Sequence, residues 1–478
     1  MKALLIGIDG GDKRILDFFD KPYYRELKQR THSRAAEEDL VGRGWAKIMT
    51  GLGQEATGAF YMAPKLDGTC QFSPGFRMKD CIEVHGIKPI WDLMGRRGCK
   101  VGIMNVPTTT PVFKVNGFLI GSAGAGLYEI EGIPASIIPG LKQNGYVMDI
   151  RLKPSGIRRL EDLFDRLKAM ESIRAKTFVQ LCKEQGTEFG FVVDRGTTVI
   201  QYLAMGEIEQ LMAEKRGDRR AWRVSERLRD LLHDYYSQLD NNIRFVVEAL
   251  MPEHLIITAD HGHAPYTHRG NMDAFLRRHG WLTKGSVPVR ALRKARARGA
   301  HYLPDGTLKD ALSWLFKEPE SWFVRDKTKA FGTYHCSGVY INDSRRFGGP
   351  VPEGQEMRAL VREICGTFNA SSEAGLYGMQ ARPYRERHMS ARFADQLPDI
   401  IIEHPDSIFF DGRTTQLIRP NPNYGPLPPL EDVDEDMFTG QKGRHPVLLM
   451  DFGTQALVRQ DDPRDLTIVY HLIDRIFR

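Results

Sequence analysis

Cysteine is scarce in this sequence. The 478 residues hold six, at Cys70, Cys81, Cys99, Cys182, Cys336 and Cys365, and no two stand at CxxC spacing. That excludes a zinc ribbon and a thioredoxin-type motif. Scattered thiols without a secretion signal fit a reducing cytosol, so a cytoplasmic location is expected. Long apolar runs are also lacking. No stretch reaches the ~18 residues that a spanning helix needs. The opening MKALLIGIDGGDKR carries only a short apolar run that meets Asp9 at once, unlike a signal peptide. No membrane partner is therefore expected. A dominant charge is missing too: 67 basic against 61 acidic residues leave +6. Spread over a surface this large, that is no strong nucleic-acid signal. Internal repeats and low-complexity tracts are absent from the sequence.

What is present is an ordinary globular composition, 41% apolar and 27% charged, with enough apolar residues for a sizeable core. The length suits one large α/β domain with insertions, or two domains. The organisation adopted is one domain over residues 1–478. Within it lie a basic insertion at 286–325 and a Pro-rich, acidic loop region at 405–440.

Short apolar runs ending in turn or acidic residues read as buried strands. Ala3–Ile8, Lys100–Val106, Phe189–Val193 and His254–Ala259 have this form, and Pro398–Glu403 and Val447–Asp451 look like further strands. Leu228, Leu231, Leu232, Tyr235, Leu239, Ile243, Val246 and Leu250 recur at helical spacing and predict a long amphipathic helix leading into the His254 strand. Strands alternating with helices imply a three-layer α/β/α sandwich with a largely parallel central sheet. The Arg290–Arg298 segment reads as a solvated basic helix, with phosphate binding as the alternative. The acidic run Glu431–Asp436 reads as a solvated loop, because it lacks the Asx/Gly spacing of an EF-hand.

Two strand ends carry chemistry. Asp9 follows the first strand, and Asp260-His261-Gly262 follows the His254 strand. Ligand groups in open α/β sheets sit beyond the carboxyl ends of strands. A carboxylate with an imidazole suits zinc, manganese or a similar divalent ion. Asp-His-Gly alone also occurs by chance.

The longer context is more specific. TADHGHAPYTHRGNMDAFLRRHGWLTK resembles the SDHGF…NLNEWLRRHGYL segment of the type I phosphodiesterase/nucleotide pyrophosphatase-like branch of the alkaline phosphatase superfamily. In the same order, LLIGIDGGD resembles its first metal strand, and IWDLMGRRGCKVGIMNVPTTTP followed by VNGFLIGSAG resembles its WELL…GKRVGVINVPMTYP…VNGFMVSG stretch. TKAFGTYHCSGVYIN and LPDIIIE fit its late segments. The resemblance implies an alkaline phosphatase-like fold. It also implies a Thr or Ser nucleophile that forms a phospho-enzyme, with two divalent metals ~4 Å apart.

Carried over residue by residue, the implied machinery is incomplete. Asp9, Asp260 and His261 match one metal's ligands. Val41 stands at the nucleophile position of T-x-x-x-W…TG, aligned on Val41 to Trp45 and Thr50-Gly51. The second metal's Asp, His and late His fall on Thr198, Tyr202 and Lys442. Valine has no oxygen with which to attack phosphorus, and an ammonium repels an ion or supplies positive charge in its place. Register slips to Asp194 or His445, and displaced nucleophiles at Thr31, Ser33 or Thr50, are the rescues to consider. His263 and His268 are candidate assistants.

Two functions remain open from sequence. One is a catalytically inactive or strongly diverged phosphodiesterase-like protein that keeps a phosphate or metal pocket for binding or scaffolding. Arg43, Lys47 and Lys442 would line it, and a phosphate-containing small molecule or a protein would be its partner. The other is a phosphoester or phosphodiester hydrolase with one divalent metal, zinc or manganese, on Asp9, Asp260 and His261 activating water directly.

Overall fold

The computed structural model of the chain describes residues 1–73, 75–122, 129–150, 157–285, 323–333, 337–430, 433 and 437–478. They fall into two compact units, one of residues 1–61, 76–268 and 420–478 and one of 62–75 and 269–419.

The first unit is built on ten strands: β1 (Ala3–Ile8), β2 (Thr31–Ser33), β3 (Val101–Met104), β4 (Gly117–Ile120), β5 (Gly132–Ile133), β6 (Phe189–Asp194), β7 (His254–Thr258), β8 (Gly262–Pro265), β9 (Gly440–Gly443) and β10 (Leu448–Asp451). Eight of them form a sheet of order β2-β10-β7-β1-β6-β3-β4-β5 among the described residues. The run β7-β1-β6-β3-β4 is parallel throughout. Antiparallel strands close both edges, β10 with β2 on one side and β5 on the other. β8 and β9 form a separate antiparallel ribbon.

Five helices matter for the site: α1 (Gly44–Thr50), α2 (Leu160–Gln185), α3 (Gly196–Arg216), α4 (Glu226–Leu250) and α5 (Thr467–Ile476). Successive strand residues point to opposite faces. Leu4, Ile6 and Ile8 of β1 pack with Leu163 of α2, Ile200 of α3 and Leu232 of α4. Ala3 and Leu5 pack on the other face with Trp45 and Ile48 of α1 and Ile468 and Leu472 of α5. Buried on both faces, β1 must be apolar along its whole length. Each such Leu or Ile contributes roughly 1.5–3 kcal/mol by leaving water. This is the three-layer α/β/α sandwich with a largely parallel central sheet.

The helix expected from the Leu228–Leu250 periodicity is α4. Its start is capped by the Ser225 side chain, which accepts from the Leu228 amide. All eight periodic residues except half-buried Leu231 are buried. The strands expected at Ala3–Ile8, Lys100–Val106, Phe189–Val193 and His254–Ala259 are β1, β3, β6 and β7. Val447–Asp451 becomes the antiparallel β10 beside β7.

The second unit holds the strand expected at Pro398–Glu403, as Ile400–Glu403 in an antiparallel four-stranded sheet with Gln380–Pro383, Gly338–Ile341 and Ala330–Gly332. Helix Gln355–Asn369 supplies Leu360, Ile364 and Phe368 to its core. Arg346 is buried and bonds Asp343 and Asp399, each at 2.5 Å. The Arg290–Arg298 segment, nearly all of the 286–325 insertion, and Glu431, Asp432 and Asp434 to Asp436 of the acidic run lie outside the described residues. Within 405–440 the described chain forms two short strands, Ile408–Phe410 and Ile418–Pro420.

Candidate functional site

Parallel pairing of β1 with β7 puts Gly7 level with Thr258. Asp9 and Asp260 therefore leave adjacent strands at the same end of the sheet, and His261 follows at once. Their ligand atoms lie within 4.8 Å of one another, and all three residues are buried. The structure thus brings together the three residues read from sequence as one metal's ligands.

Each of the three is already engaged by the protein. Asp9 Oδ2 accepts from Trp45 Nε1 at 3.0 Å, and Arg195 Nε stands 3.7 Å away. Asp260 accepts from the Gly10 amide and the Tyr61 hydroxyl, both at 3.4 Å. His261 Nδ1 lies 2.7 Å from the Gly262 carbonyl, which fixes the proton on Nδ1 and leaves the lone pair on Nε2. Lys442 Nζ donates to that Nε2 at 2.5 Å. Burial raises the Asp260 carboxyl above its ordinary range, and the neighbouring Asp9 charge adds to the rise. Burial pushes His261 down, with Lys442 adding to the fall, so the imidazole is neutral.

These contacts decide the fit to a divalent ion. The trio is compact enough for one. A zinc–nitrogen bond of ~2.0–2.1 Å would need the Nε2 lone pair that the ammonium now takes. As they stand, the residues do not fit a metal at this position. The second position fits still less. Thr198 and His263 crowd Gly10: a Cβ there would lie 2.9 Å from Thr198 Oγ1 and 2.5 Å from His263 Nδ1. Thr198 Oγ1 and His263 Nε2 are buried without a hydrogen-bond partner among the described residues. The Tyr202 ring meets His263 edge-on at 4.8 Å. The Thr198 hydroxyl and the Tyr202 phenol line that corner where the resemblance implies a carboxylate and an imidazole, with His263 beside them.

Local sequence explains how these side chains arrive. Gly44 opens α1 in contact with the Asp260 backbone, where a Cβ would lie 2.0 Å from the carbonyl oxygen. Only glycine permits that approach. The next residue, Trp45, then lays its ring over Gly7 and reaches Asp9. Arg195 caps α3 directly after β6 and is anchored on Asp149 at 2.5 Å. Burial opposes its charge, but Asp149 and then Asp9 hold it above the usual arginine value. Lys442 rides on β9, level with His263 of β8. β9 in turn seats in a kink of α3 at Ala204, where Thr439 Oγ1 bonds the Gly206 amide and the Leu203 carbonyl, each at 3.0 Å.

The remaining sequence candidates are placed as follows. Val41 is buried, its amide on Asp39 and its carbonyl on the Tyr61 amide. Arg43 bonds the Phe60 carbonyl at 2.9 Å and lies 5.3 Å from the Tyr61 ring centre, with Lys442 4.4 Å from the same centre. Lys47 is buried on Glu38 at 2.7 Å, with Asp39 and Asp465 nearby, so its charge is answered by carboxylates. The Asp194 carboxylate lies 3.8 Å from Arg174 and near the buried Glu171. His445 reaches the site with its backbone carbonyl, near Gly262. The Thr31 and Thr50 hydroxyls bond helix carbonyls at Leu27 and Ala46, Ser33 is exposed on edge strand β2, and half-buried His268 pairs with Thr267. Trp45, Tyr61, Arg195 and Asp149 are site residues that sequence reading did not single out. An Arg directly after a strand-end Asp was the one available signal for Arg195.

No curated protein matches the chain. A solved phosphonoacetate hydrolase from Sinorhizobium meliloti 1021, in complex with phosphonoformate, superposes with a TM-score of 0.53 at 12% identity, covering 100% of this chain and 96% of that one. The same enzyme with phosphonoacetate gives 0.52 at 12% identity, with the same coverage. Murine ectonucleotide pyrophosphatase/phosphodiesterase 5 with AMP gives 0.47 at 12% identity, covering 100% and 95%. At 12% identity the hydrolase likeness shows the fold. The family profile of type I phosphodiesterase/nucleotide pyrophosphatase matches residues 43–345, which contain Thr198, Tyr202, Asp260 and His261 but not Asp9, Val41 or Lys442. With more than half of its length matched and the sheet, helices and strand-end cluster just described, the chain belongs to the type I phosphodiesterase/nucleotide pyrophosphatase family.

Proposed function

We propose that this chain is a non-hydrolytic member of its family, one that binds a phosphate-bearing small molecule or a protein partner at the former catalytic centre. The observation that carries this reading is the closure of the Asp9–Asp260 pair by the protein's own donors: Trp45 and Arg195 face Asp9, and Tyr61 and the Gly10 amide face Asp260. A hydrolase of this family needs those oxygens for ions and a hydroxyl at the Val41 position. Phosphate recognition has its own support. Arg43 and Lys442 both lie against the Tyr61 ring, which gathers two cations beside the cluster. Guanidinium and ammonium groups held in this way suit an oxyanion. The five described cysteines form no disulfide with one another, which agrees with a cytoplasmic setting.

The alternative is hydrolysis by water on one metal held by Asp9, Asp260 and His261. Their 4.8 Å compactness favours it. It requires Lys442 to leave His261 first.

Turnover of an aryl phosphodiester, with and without added zinc or manganese, tests the reading. No turnover above the uncatalysed rate is expected under any of these conditions. Saturable binding of inorganic phosphate, weakened about tenfold or more in Arg43→Ala, is expected by calorimetry. Metal-stimulated turnover that is lost in His261→Ala would overturn the proposal.

A further inference from the structure

The comparison of motifs gives Lys442 one role, as the residue replacing a ligand of the second metal. The geometry gives it another. Its Nζ reaches the first-position ligand, 2.5 Å from His261 Nε2. We propose that Lys442 is a built-in substitute for the first metal, so that one substitution both takes away a second-site ligand and fills the first site. This rests on the non-hydrolytic reading and deepens it, by naming the group that keeps the centre metal-free.

Three observations carry the inference. The lone pair at issue is single and its direction is fixed: Nδ1 is committed to the Gly262 carbonyl at 2.7 Å, so Nε2 alone is available to an ion. That backbone bond is the same orienting contact a metal-ligating histidine uses, so His261 keeps a ligand's posture with an ammonium in the ion's place. Lys442 is also no wandering surface lysine. It is held by register with His263, by the Tyr61 ring at 4.4 Å, and by Gly440, where a Cβ would lie 2.1 Å from the Gln201 carbonyl. Around it stand the carboxyl groups of Asp9 and Asp260, and Arg195 lies 3.7 Å from Asp9 as a second fixed cation. The centre holds protein cations where the fold's chemistry expects mobile ones.

The inference predicts a latent metal site. Removing the ammonium while keeping the bulk, as in Lys442→Met, frees Nε2 beside two carboxylates, which is a three-ligand set of the open zinc type. Full-length wild-type, Lys442→Met and Lys442→Gln proteins are dialysed against zinc alone, and bound metal is measured by elemental analysis. Wild type is expected to retain well under one equivalent. Either variant is expected to take up about one equivalent, with affinity raised roughly 100-fold. A further His261→Ala change should abolish the gain. Circular dichroism confirms that each protein compared is folded, and two variants of different polarity guard against one failing to fold. The inference is overturned if wild type binds an equivalent of zinc that His261→Ala removes, or if both folded variants bind no more zinc than wild type. These outcomes are distinct from failure of the functional reading. Metal-independent turnover by wild type would end that reading and leave the role of Lys442 standing.

Discussion

Trp45 donates its indole Nε1 to Asp9 Oδ2 at 3.0 Å, from the first turn of α1 to the end of β1. Both residues are buried. A buried carboxylate that loses a donor bears the desolvation cost of the unmade bond. Trp45→Phe keeps an aromatic ring facing Phe191 but removes the donor, along with the Cη2 and Cζ3 edge that lies over Gly7. It is expected to destabilise the protein by about 1–3 kcal/mol in urea unfolding. A loss below about 0.5 kcal/mol, the range of a neutral surface change, would mean that Asp9 does not depend on this bond.

Gly44→Ala tests the approach of α1 to Asp260. The new Cβ would lie 2.0 Å from the Asp260 carbonyl oxygen, so helix or strand end must move. A cost of about 1–3 kcal/mol or more is expected from that overpacking. Gly140→Ala, at an exposed helical glycine with nothing within 4 Å of an added Cβ, is the control and should be neutral or stabilising by about 0.5–1 kcal/mol. Equal effects from the two changes would show that the close contact is not a constraint.

Val41→Thr places a hydroxyl at the nucleophile position of the family pattern and nothing more. Thr198, Tyr202 and Lys442 still stand where a second ion's ligands would be. Turnover of an aryl phosphodiester by this variant is expected to stay at the uncatalysed rate, with or without zinc. Activity from that single change would show that the three substitutions do not matter.

The second unit offers a pH test. The Arg345 side chain, and then Arg385, bond Asp395 and hold its carboxyl down at about 2, against an ordinary 3.8. A depressed carboxylate stabilises the fold above its unfolded pKa and loses that stabilisation as pH falls through the folded value. Stability should therefore decline between about pH 4 and pH 2. Asp395 is about a third exposed, so solvent screening limits the effect to about 1 kcal/mol. Acid titration of unfolding free energy, wild type against Asp395→Asn, checks it. The variant should lack this part of the slope, and an identical slope would remove Asp395 from the account.

The legible part of the molecule is the part encoded by local pattern. β1, β6 and β7 are short apolar runs because they are buried on both faces, and α4 shows its period because one stripe alone is buried. Asp9, Asp260 and His261 were visible because a strand end is a local feature. The strand at Ile400–Glu403 was visible as well, but its membership in a separate antiparallel sheet was not, since an apolar run carries no record of its partners.

Sequence by itself determined the layered α/β architecture, the family resemblance, and which residue types stand where that resemblance places the nucleophile and the second metal's ligands. Tertiary structure alone decided which side chains those positions meet. The pairing of β8 with β9 brings Lys442 to His261 across 181 positions of chain. The glycine contact at Gly44 delivers Trp45 to Asp9, and Asp149 steadies Arg195 beside it. Charge neutralisation at a few ångströms depends on distance and orientation, and neither is written in residue order.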